Sequence, residues 1–198
     1  MRKQRLNSGQ MHSKIDKYEF KNGRLAFSKS FYAKTEKKNA RCIYSERGTA
    51  SPDTLEIDFY KSADITPANL IKFGGVWYAV SFSTNNDNRI YGHAVCGRCV
   101  VSEFTLAKTK KKHDEYNTPI FEESESVIFD GIVCEKFIRS AEDGHFTKDL
   151  REYVIIYPKE IELNLSDVIC DEKKKYYITE THEGAYLNEA VVVYRGDA

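Results

Sequence analysis

The segment from Asp64 to Val80 constrains most strongly what this chain can fold into. Two runs with many apolar residues, Asp64–Phe73 and Val76–Val80, flank the pair Gly74-Gly75. Glycine adopts the positive φ that a two-residue hairpin turn requires, so the segment predicts two antiparallel strands. The run before it, residues 53–60, alternates apolar and acidic residues, as a strand with one wet face does. The sequence therefore predicts three consecutive strands here.

A divergent second copy of this arrangement follows later in the chain. Residues 152–157 read as a strand, and an apolar run at 165–170, a polar turn at 171–174 and a third run at 175–179 follow it. In this repeat we expect residues 69–71 to correspond to residues 167–169. We likewise expect Trp77-Tyr78 to correspond to Tyr176-Tyr177. Internal similarity of this kind predicts two units with the same architecture.

The rest of the chain also favours strands over helices. Asn22-Gly23 is a strong hairpin signal, and 13 Tyr and 11 Phe against 4 Pro favour β-structure. About six short strands in the first half and about five in the second have a spacing typical of small barrels. We predict an all-β protein with two small β-barrel units in tandem, joined by a charged linker or excursion. The expected segments are a basic N-terminal arm at 1–12, a first barrel at 13–107, a charged linker or loop at 108–125, and a second barrel-like unit at 126–198.

The charge balance and the number of cysteines limit the classes of function that this chain can have. Lys plus Arg equals Asp plus Glu at 30 each, which argues against a protein with one dominant basic face but leaves local patches open. No apolar run approaches the roughly 20 residues of a membrane helix, and the basic start lacks the apolar region of a secretory signal. Five scattered cysteines do not resemble a disulfide scaffold. We expect a soluble, intracellular protein with reduced cysteines and no membrane partner.

Cys96 and Cys99 form a C-x-x-C, which raises the possibility of a thiol or metal enzyme. The flanking residues read as strand, although a thioredoxin-like site places its first cysteine at a helix start. No second C-x-x-C completes a zinc site, and the histidines are scattered. No G-x-S-x-G elbow or phosphate-binding glycine loop is present either. The sequence therefore predicts no catalytic residue, no cofactor-binding residue, no cofactor and no metal site.

The aromatic pairs Trp77-Tyr78 and Tyr176-Tyr177 could stack nucleic-acid bases. Adjacent residues in a strand point to opposite faces of the sheet, so at most one ring of each pair can face solvent. A stacking surface also needs basic neighbours on the same face. We expect one member of each pair to pack in a core.

Leu55 to Val80 resembles the head–tail connector proteins of tailed bacteriophages, of the stopper or head-closure type. Those proteins share a strand, an Asp-Ile-Thr-Pro-like segment, an apolar strand, a glycine turn and an aromatic strand. The matching residues are Ile57–Tyr60, Asp64-Ile65-Thr66-Pro67, Leu70-Ile71, Gly74-Gly75 and Trp77-Tyr78-Ala79-Val80-Ser81. The resemblance extends over about residues 10–105. This chain is longer than the members of that family, which typically form one small barrel. A fused or duplicated connector would explain the second unit, although that copy lacks the Thr-Pro and Gly-Gly landmarks.

The resemblance implies a structural protein in the neck of the virion, made in the host cytoplasm, with a role in viral assembly and genome ejection. It implies a homo-oligomeric ring, a hexamer in preference to a dodecamer. The ring would join the portal or adaptor protein to the tail terminator or tail tube and surround double-stranded DNA. Another tail component on a similar barrel, terminator-like or tube-like, remains an alternative, as does a non-sequence-specific nucleic-acid-binding barrel module.

Charged residues and asparagines in the arm, in one exposed turn and in the lysine-rich segment are the candidate partner or DNA contacts. Opposite charges at 108–113 and 122–125 suit head-to-tail contacts between copies in a ring. The candidates are Arg2, Lys3, Arg5, Asn85, Asn86, Arg89, Lys108, Lys110, Lys111 and Lys112.

Overall fold

A computed structural model describes most of the chain. The described residues are 11–40, 42–43, 50–51, 53–84, 90–113, 116, 119–135, 152–165, 167–172 and 174–194. For residues 43, 50, 109–113, 119–125 and 135 the description covers the backbone alone.

Strands dominate the described residues, which contain one short 3₁₀ turn at Lys61–Ala63 and no α-helix. The strands are β1 (Ser13–Lys21), β2 (Arg24–Lys38), β3 (Cys42–Ile43), β4 (Ala50–Ser51), β5 (Thr54–Tyr60), β6 (Leu70–Phe73), β7 (Val76–Thr84), β8 (Tyr91–His113), β9 (Pro119–Glu135), β10 (Glu152–Tyr157), β11 (Val168–Cys170), β12 (Lys175–His182) and β13 (Asn188–Tyr194). The predicted all-β class is confirmed. A search of the described residues finds no helix with the length and apolar character needed to cross a bilayer.

The chain divides into two compact units. The first contains Met1–Lys21 and Leu25–Val100, and the second contains Asn22–Arg24 and Val101–Ala198. The division falls within β8, of which residues 91–100 belong to the first unit. Residues 108–113 and 119–125, most of the predicted linker or loop, are strand in β8 and β9. The predicted domain boundaries stay predictions.

In the first unit, hydrogen-bonded pairing runs in the order β1–β6–β7–β8–β5–β2 and returns to β1. The inward faces of these strands form one hydrophobic core. Its largest fully buried side chains include Phe59, Ile15, Leu55, Ile57 and Ile71.

The second unit repeats this order with β8–β11–β12–β13–β10–β9, and β9 is again next to β8. Its core is centred on Phe104, Phe129, Tyr157 and Tyr176. Both sets of strands belong to one eleven-stranded sheet. Because that sheet is continuous through β8, the finer arrangement of two barrels in tandem stays a prediction.

Local details repeat along with the strand order. Ile71 pairs with Tyr78 in the first unit, and Ile169 pairs with Tyr176 in the second. A bulge interrupts the β7–β8 register between Val80 and Phe82, and the β12–β13 register shifts between Ile178 and Glu180. Bulges bend a strand at a defined position, so their recurrence indicates that the two units curve in the same way.

The same side-chain-capped turn precedes β6 and β11. In the first unit the Thr66 N–H donates to Asn69 Oδ1 at 2.8 Å, and the Asn69 N–H donates to the Thr66 carbonyl at 3.0 Å. In the second unit the Asn164 N–H donates to Asp167 Oδ2 at 2.8 Å, and the Asp167 N–H returns a bond of 3.0 Å. Asn and Asp favour such turns because their side chains accept from nearby backbone N–H groups.

These registers correct the expected alignment of the aromatic pairs. Tyr78 occupies the position of Tyr176, and Trp77 that of Lys175, so the expected correspondence of Trp77-Tyr78 with Tyr176-Tyr177 was wrong by one residue. The expected alignment matched aromatic residues by identity and did not take the length of the turn between the strands into account. The turn at 171–174 has the same length as Phe73–Val76, and this equal length sets the register.

One core position differs in character between the units. Lys17 pairs with Ile71, as Leu106 pairs with Ile169, so a lysine stands where the second unit has a fully buried leucine. Lys17 Nζ donates to the carbonyl of Asp64 at 2.6 Å and lies 2.8 Å from Glu19 Oε1. A buried cation is tolerated only with such partners. Lys17 therefore holds the turn that follows β5.

Candidate interaction surfaces

Most of the predicted contact residues lie outside the described residues. Arg2, Lys3, Arg5, Asn85, Asn86 and Arg89 are among these. Lys108 is half-buried on β8, and Lys110, Lys111 and Lys112 follow on the same strand, where only the backbone is described. Their predicted contacts stay predictions.

The end of β8, which carries these lysines, and the start of β9, its hydrogen-bonded neighbour, form a two-stranded ribbon, here called the charged ribbon (residues 109–113 and 119–125). β8 pairs with β11 only through residues 105–107, and β9 pairs with β10 only through residues 132–135. Within the described strands, the charged ribbon therefore has no strand neighbour outside its own two strands. Such open edges are templates for pairing with another chain.

The two cysteines of the C-x-x-C lie on opposite faces of β8. Cys96 is fully buried in the first core, whereas Cys99 lies three residues on and points to the opposite side of β8. Burial, followed by the neighbouring Cys42 and Cys99, raises the pKa of the Cys96 thiol. A thiol with a raised pKa is a poor nucleophile and a poor metal ligand at neutral pH. No group of three or more potential metal ligands occurs within the described part of the chain.

The aromatic pairs divide between core and surface as expected. Tyr78 is 3% exposed and Tyr176 is 1% exposed, whereas Trp77 is half-buried and Tyr177 is 40% exposed. Burial raises the pKa of Tyr176, and its hydroxyl donates to Asp171 Oδ2 at 2.9 Å. The two inward tyrosines are therefore structural.

The outward Trp77 belongs to a row of three rings on the first unit, here called the aromatic ladder (Phe27, Tyr18 and Trp77). The Tyr18 ring lies 5.7 Å from Phe27 and 4.7 Å from Trp77 between centroids, edge to face in both contacts. Lys72 Nζ lies over the Trp77 ring at 4.8 Å. Phe27 is 55% exposed. An apolar ring at that exposure, joined to two others, forms a surface that a partner can cover.

Sequence reasoning named Trp77 but missed Tyr18 and Phe27. A signal was present, because a two-residue turn at Asn22-Gly23 places Lys21 opposite Arg24 and hence Tyr18 opposite Phe27. The contact to Trp77 requires the pairing of β1 with β6, which joins residues more than 50 positions apart. Short-range patterns do not contain that information.

Another part of the same unit has cross-strand contacts between acidic side chains and a lysine or a histidine. Asp58 Oδ1 lies 2.8 Å from His93 Nδ1 between β5 and β8, and Glu56 Oε2 lies 2.6 Å from Lys38 Nζ between β5 and β2. Each acidic side chain of β5 therefore has a cationic or imidazole partner on a neighbouring strand. Partly exposed pairs of this kind contribute little stability but present an ordered polar surface.

The second unit has an open cleft of about 370 Å³. Its lining residues are Val101, Ser102, Glu103, Asp171, Glu172 and Lys174. Three of its four charged residues, Glu103, Asp171 and Lys174, have contacts within the unit. Arg24 pairs with Glu103, Asp171 accepts from the Lys174 N–H, and Lys174 Nζ lies 5.2 Å from the Tyr153 ring centroid.

No protein-family model, curated protein or solved structure matches this chain. Its function must therefore be argued from the residues and their geometry.

Proposed function

We propose that this protein is a structural, non-enzymatic component of a tailed-phage virion. It forms a ring of identical subunits at the head–tail interface, links the portal or adaptor protein to the tail, and surrounds the DNA channel. Its place is the neck of the particle. It requires no cofactor and contacts no membrane.

The local structure of the segment that resembles connector proteins supports this proposal. β5, β6 and β7 follow one another in the expected order, and Thr66 begins the capped turn before β6. Gly74 and Gly75 adopt φ of 58° and 81°, the positive values that a hairpin turn of the primed type requires. The landmarks quoted for the resemblance therefore have physical roles in this fold.

The observation that carries the proposal is the charged ribbon. One of its strands contains Lys110, Lys111 and Lys112, and the other contains Glu122, Glu123 and Glu125. A ring needs heterologous contacts, in which two different surfaces of one subunit meet their counterparts on two neighbours. A ribbon with open edges and one charge sign per strand provides two different surfaces. Hydrogen bonding along the edge and charge pairing can then act together.

Two charge-reversed variants test the ribbon contact. The first changes Lys110, Lys111 and Lys112 to Glu, and the second changes Glu122, Glu123 and Glu125 to Lys. Each ribbon then has one sign throughout, so copies of one variant repel each other. We expect each variant alone to sediment as a monomer and an equimolar mixture to recover the rings of the original protein. Analytical ultracentrifugation and negative-stain imaging measure both.

The control for these variants is Glu162→Lys, an exposed acidic position of the second unit outside the ribbon. It should leave the rings intact. Rings that persist in both charge-reversed variants would remove the ribbon as the contact. An original protein that stays monomeric up to about 100 μM, well above the dissociation constants of stable assemblies, would contradict the ring itself. Labelling of disrupted virions with antibodies against the chain tests the location at the neck.

A further inference from the structure

The aromatic ladder of the first unit is not a requirement of the fold. The second unit has the same strand order, and its registers give the equivalents of two ladder residues, Tyr18 and Trp77, and of Lys72 beside them. Ala107 stands in place of Tyr18, Cys170 in place of Lys72 and Lys175 in place of Trp77. The inward rings, in contrast, recur: Phe31 meets Phe59 edge to face at 6.4 Å, and Phe129 meets Tyr157 at 6.3 Å. Packing explains the recurring rings, and the ladder needs another explanation.

Charge distinguishes the strands that carry the ladder. The first-unit parts of β1, β2, β6 and β7 contain eight lysines and three acidic residues, a formal charge of +5 within a chain of net charge zero. Those acids are engaged locally. Asp16 accepts from Ser30 at 2.6 Å, Glu19 pairs with Lys17, and Glu36 lies 3.9 Å from Lys38. Lys17 is buried and Lys38 pairs with Glu56 of β5, so six lysines remain against the three acidic residues. Lys14, Lys21 and Lys37 are exposed, and Lys72 Nζ lies 4.8 Å over the Trp77 ring, so these strands present an excess of positive charge.

One exposed ring and two half-buried rings next to lysines fit a ligand that has both flat aromatic groups and negative charge. We propose that the aromatic ladder binds single-stranded nucleic acid, with bases stacked on Phe27 and its neighbours and phosphates contacted by Lys72 and the exposed lysines of β1 and β2. Stacking on exposed rings within a positive surface is the general mode of sequence-independent binding to single strands. This site shares no residue with the ten candidate contacts predicted from sequence, and of its rings only Trp77 was considered there for base stacking. It does not depend on the ring function.

The chain contains one tryptophan, and it lies in the ladder. Fluorescence of Trp77 therefore reports directly on this surface. Titration of the full chain with a deoxythymidine oligonucleotide of about 15 nucleotides, close to the size that one small barrel covers, should quench it. Binding should also weaken as salt rises, because each phosphate contact releases about 0.7 counterion from a single strand. About three contacts predict a slope near −2 for log K against log salt concentration.

Variants of exposed positions test the two parts of the site. Phe27→Ala removes a ring that is 55% exposed and leaves Trp77 as the reporter. It should lower the affinity roughly five- to a hundredfold, the range for loss of one stacked base, with the salt slope unchanged. Lys72→Gln should make the slope about 0.7 less steep. The control Tyr177→Ala removes an exposed ring of the second unit and should leave the affinity unchanged.

Three results would overturn the site. The first is unchanged Trp77 fluorescence at saturating oligonucleotide. The second is that Phe27→Ala binds the oligonucleotide as tightly as the original protein does, and that the original protein binds heparin as tightly as the oligonucleotide. Heparin is a polyanion without bases, so the attraction would then be only electrostatic. The third is that Phe27→Ala sediments differently from the original protein but binds the oligonucleotide with the same affinity. The ladder would then be a contact between copies of the chain. None of these results depends on whether the charge-reversed ribbon variants assemble.

Discussion

Gly92→Ala should destabilise the first unit because no space exists for a methyl group at this position of β8. A Cβ atom built on Gly92 lies 2.6 Å from two ring carbons of Phe59 and 3.0 Å from the carbonyl oxygen of Thr84. Ordinary contacts between carbon atoms are about 3.5–4.0 Å, so the ring must move by about 1 Å. Phe59 is fully buried and packs edge to face on Phe31, which limits that movement.

The expected cost follows from overpacking of a filled core. Forcing an extra methyl group into such a site costs about 1–3 kcal/mol, and the fixed Thr84 carbonyl places this case near 2–3 kcal/mol. For a chain of this length that corresponds to a fall in Tm of about 4–12 °C. Urea denaturation followed by Trp77 fluorescence measures the loss, because the only tryptophan lies in the affected unit. Ser83→Ala, a nearby half-buried position, is the control and should change stability by less than about 0.5 kcal/mol.

A second substitution separates the clash from other effects of alanine. Phe59→Leu alone should cost about 1–2 kcal/mol through lost burial. If the Phe59 ring causes the clash, the double variant Gly92→Ala/Phe59→Leu should lose about 1–2 kcal/mol less stability than the sum of the two single losses. The contact with the Thr84 carbonyl remains in the double variant, so the recovery should be incomplete. Strictly additive effects would refute this explanation, as would a Gly92→Ala variant as stable as the original protein.

Three further predictions concern the turn, an ion pair and the thiols. Gly23→Ala should cost at least about 1 kcal/mol in thermal unfolding, because Gly23 has φ of 76° and its Cβ would lie 2.9 Å from Ile161 Cδ1; an unchanged Tm would contradict this. The hydrogen bond from Lys17 holds the pKa of Glu19 below its usual value, so the pair stabilises the fold above the unfolded pKa of about 4.3 and that stability is lost as pH falls through the lower folded pKa. Denaturation at pH 7 and pH 3 should therefore show a smaller acid-induced loss in Glu19→Gln than in the original protein, and equal losses would refute it. Cys96 should react with Ellman's reagent only after unfolding, because burial raises its pKa; reaction of the native protein that Cys96→Ser abolishes would disprove its burial.

The elements that short-range physics controls could be predicted from sequence. The hairpins at Asn22-Gly23 and Gly74-Gly75 follow from the positive φ that these residues tolerate, and the alternation in residues 53–60 follows from one buried face. The strand at Cys96 and Cys99 follows from the strand-like residues that flank the C-x-x-C. In each case a few neighbouring residues contain the whole cause.

Features that depend on distant partners could not be predicted in this way. The alignment of the two units shifted by one residue because identity of aromatic residues was used where turn length sets the register. The residues of the charged ribbon suggested a loop because like charges repel along one strand, while attraction to the opposite strand is not visible in a local window. The ladder escaped notice because Trp77 meets Tyr18 only after β1 and β6 have paired.

The path of β8 has a consequence for how the protein is made. Residues 91–100 supply the strand that pairs with both β5 and β7, and they are the last residues of the first unit in chain order. Once they leave the ribosome, all of its strands are available for pairing, while residues 101–198 are still being synthesised. At about 5–20 residues per second that interval lasts about 5–20 s, long compared with the folding of most small domains. The nascent chain can therefore bury one core before the other exists, which limits mispairing between two units with the same strand order.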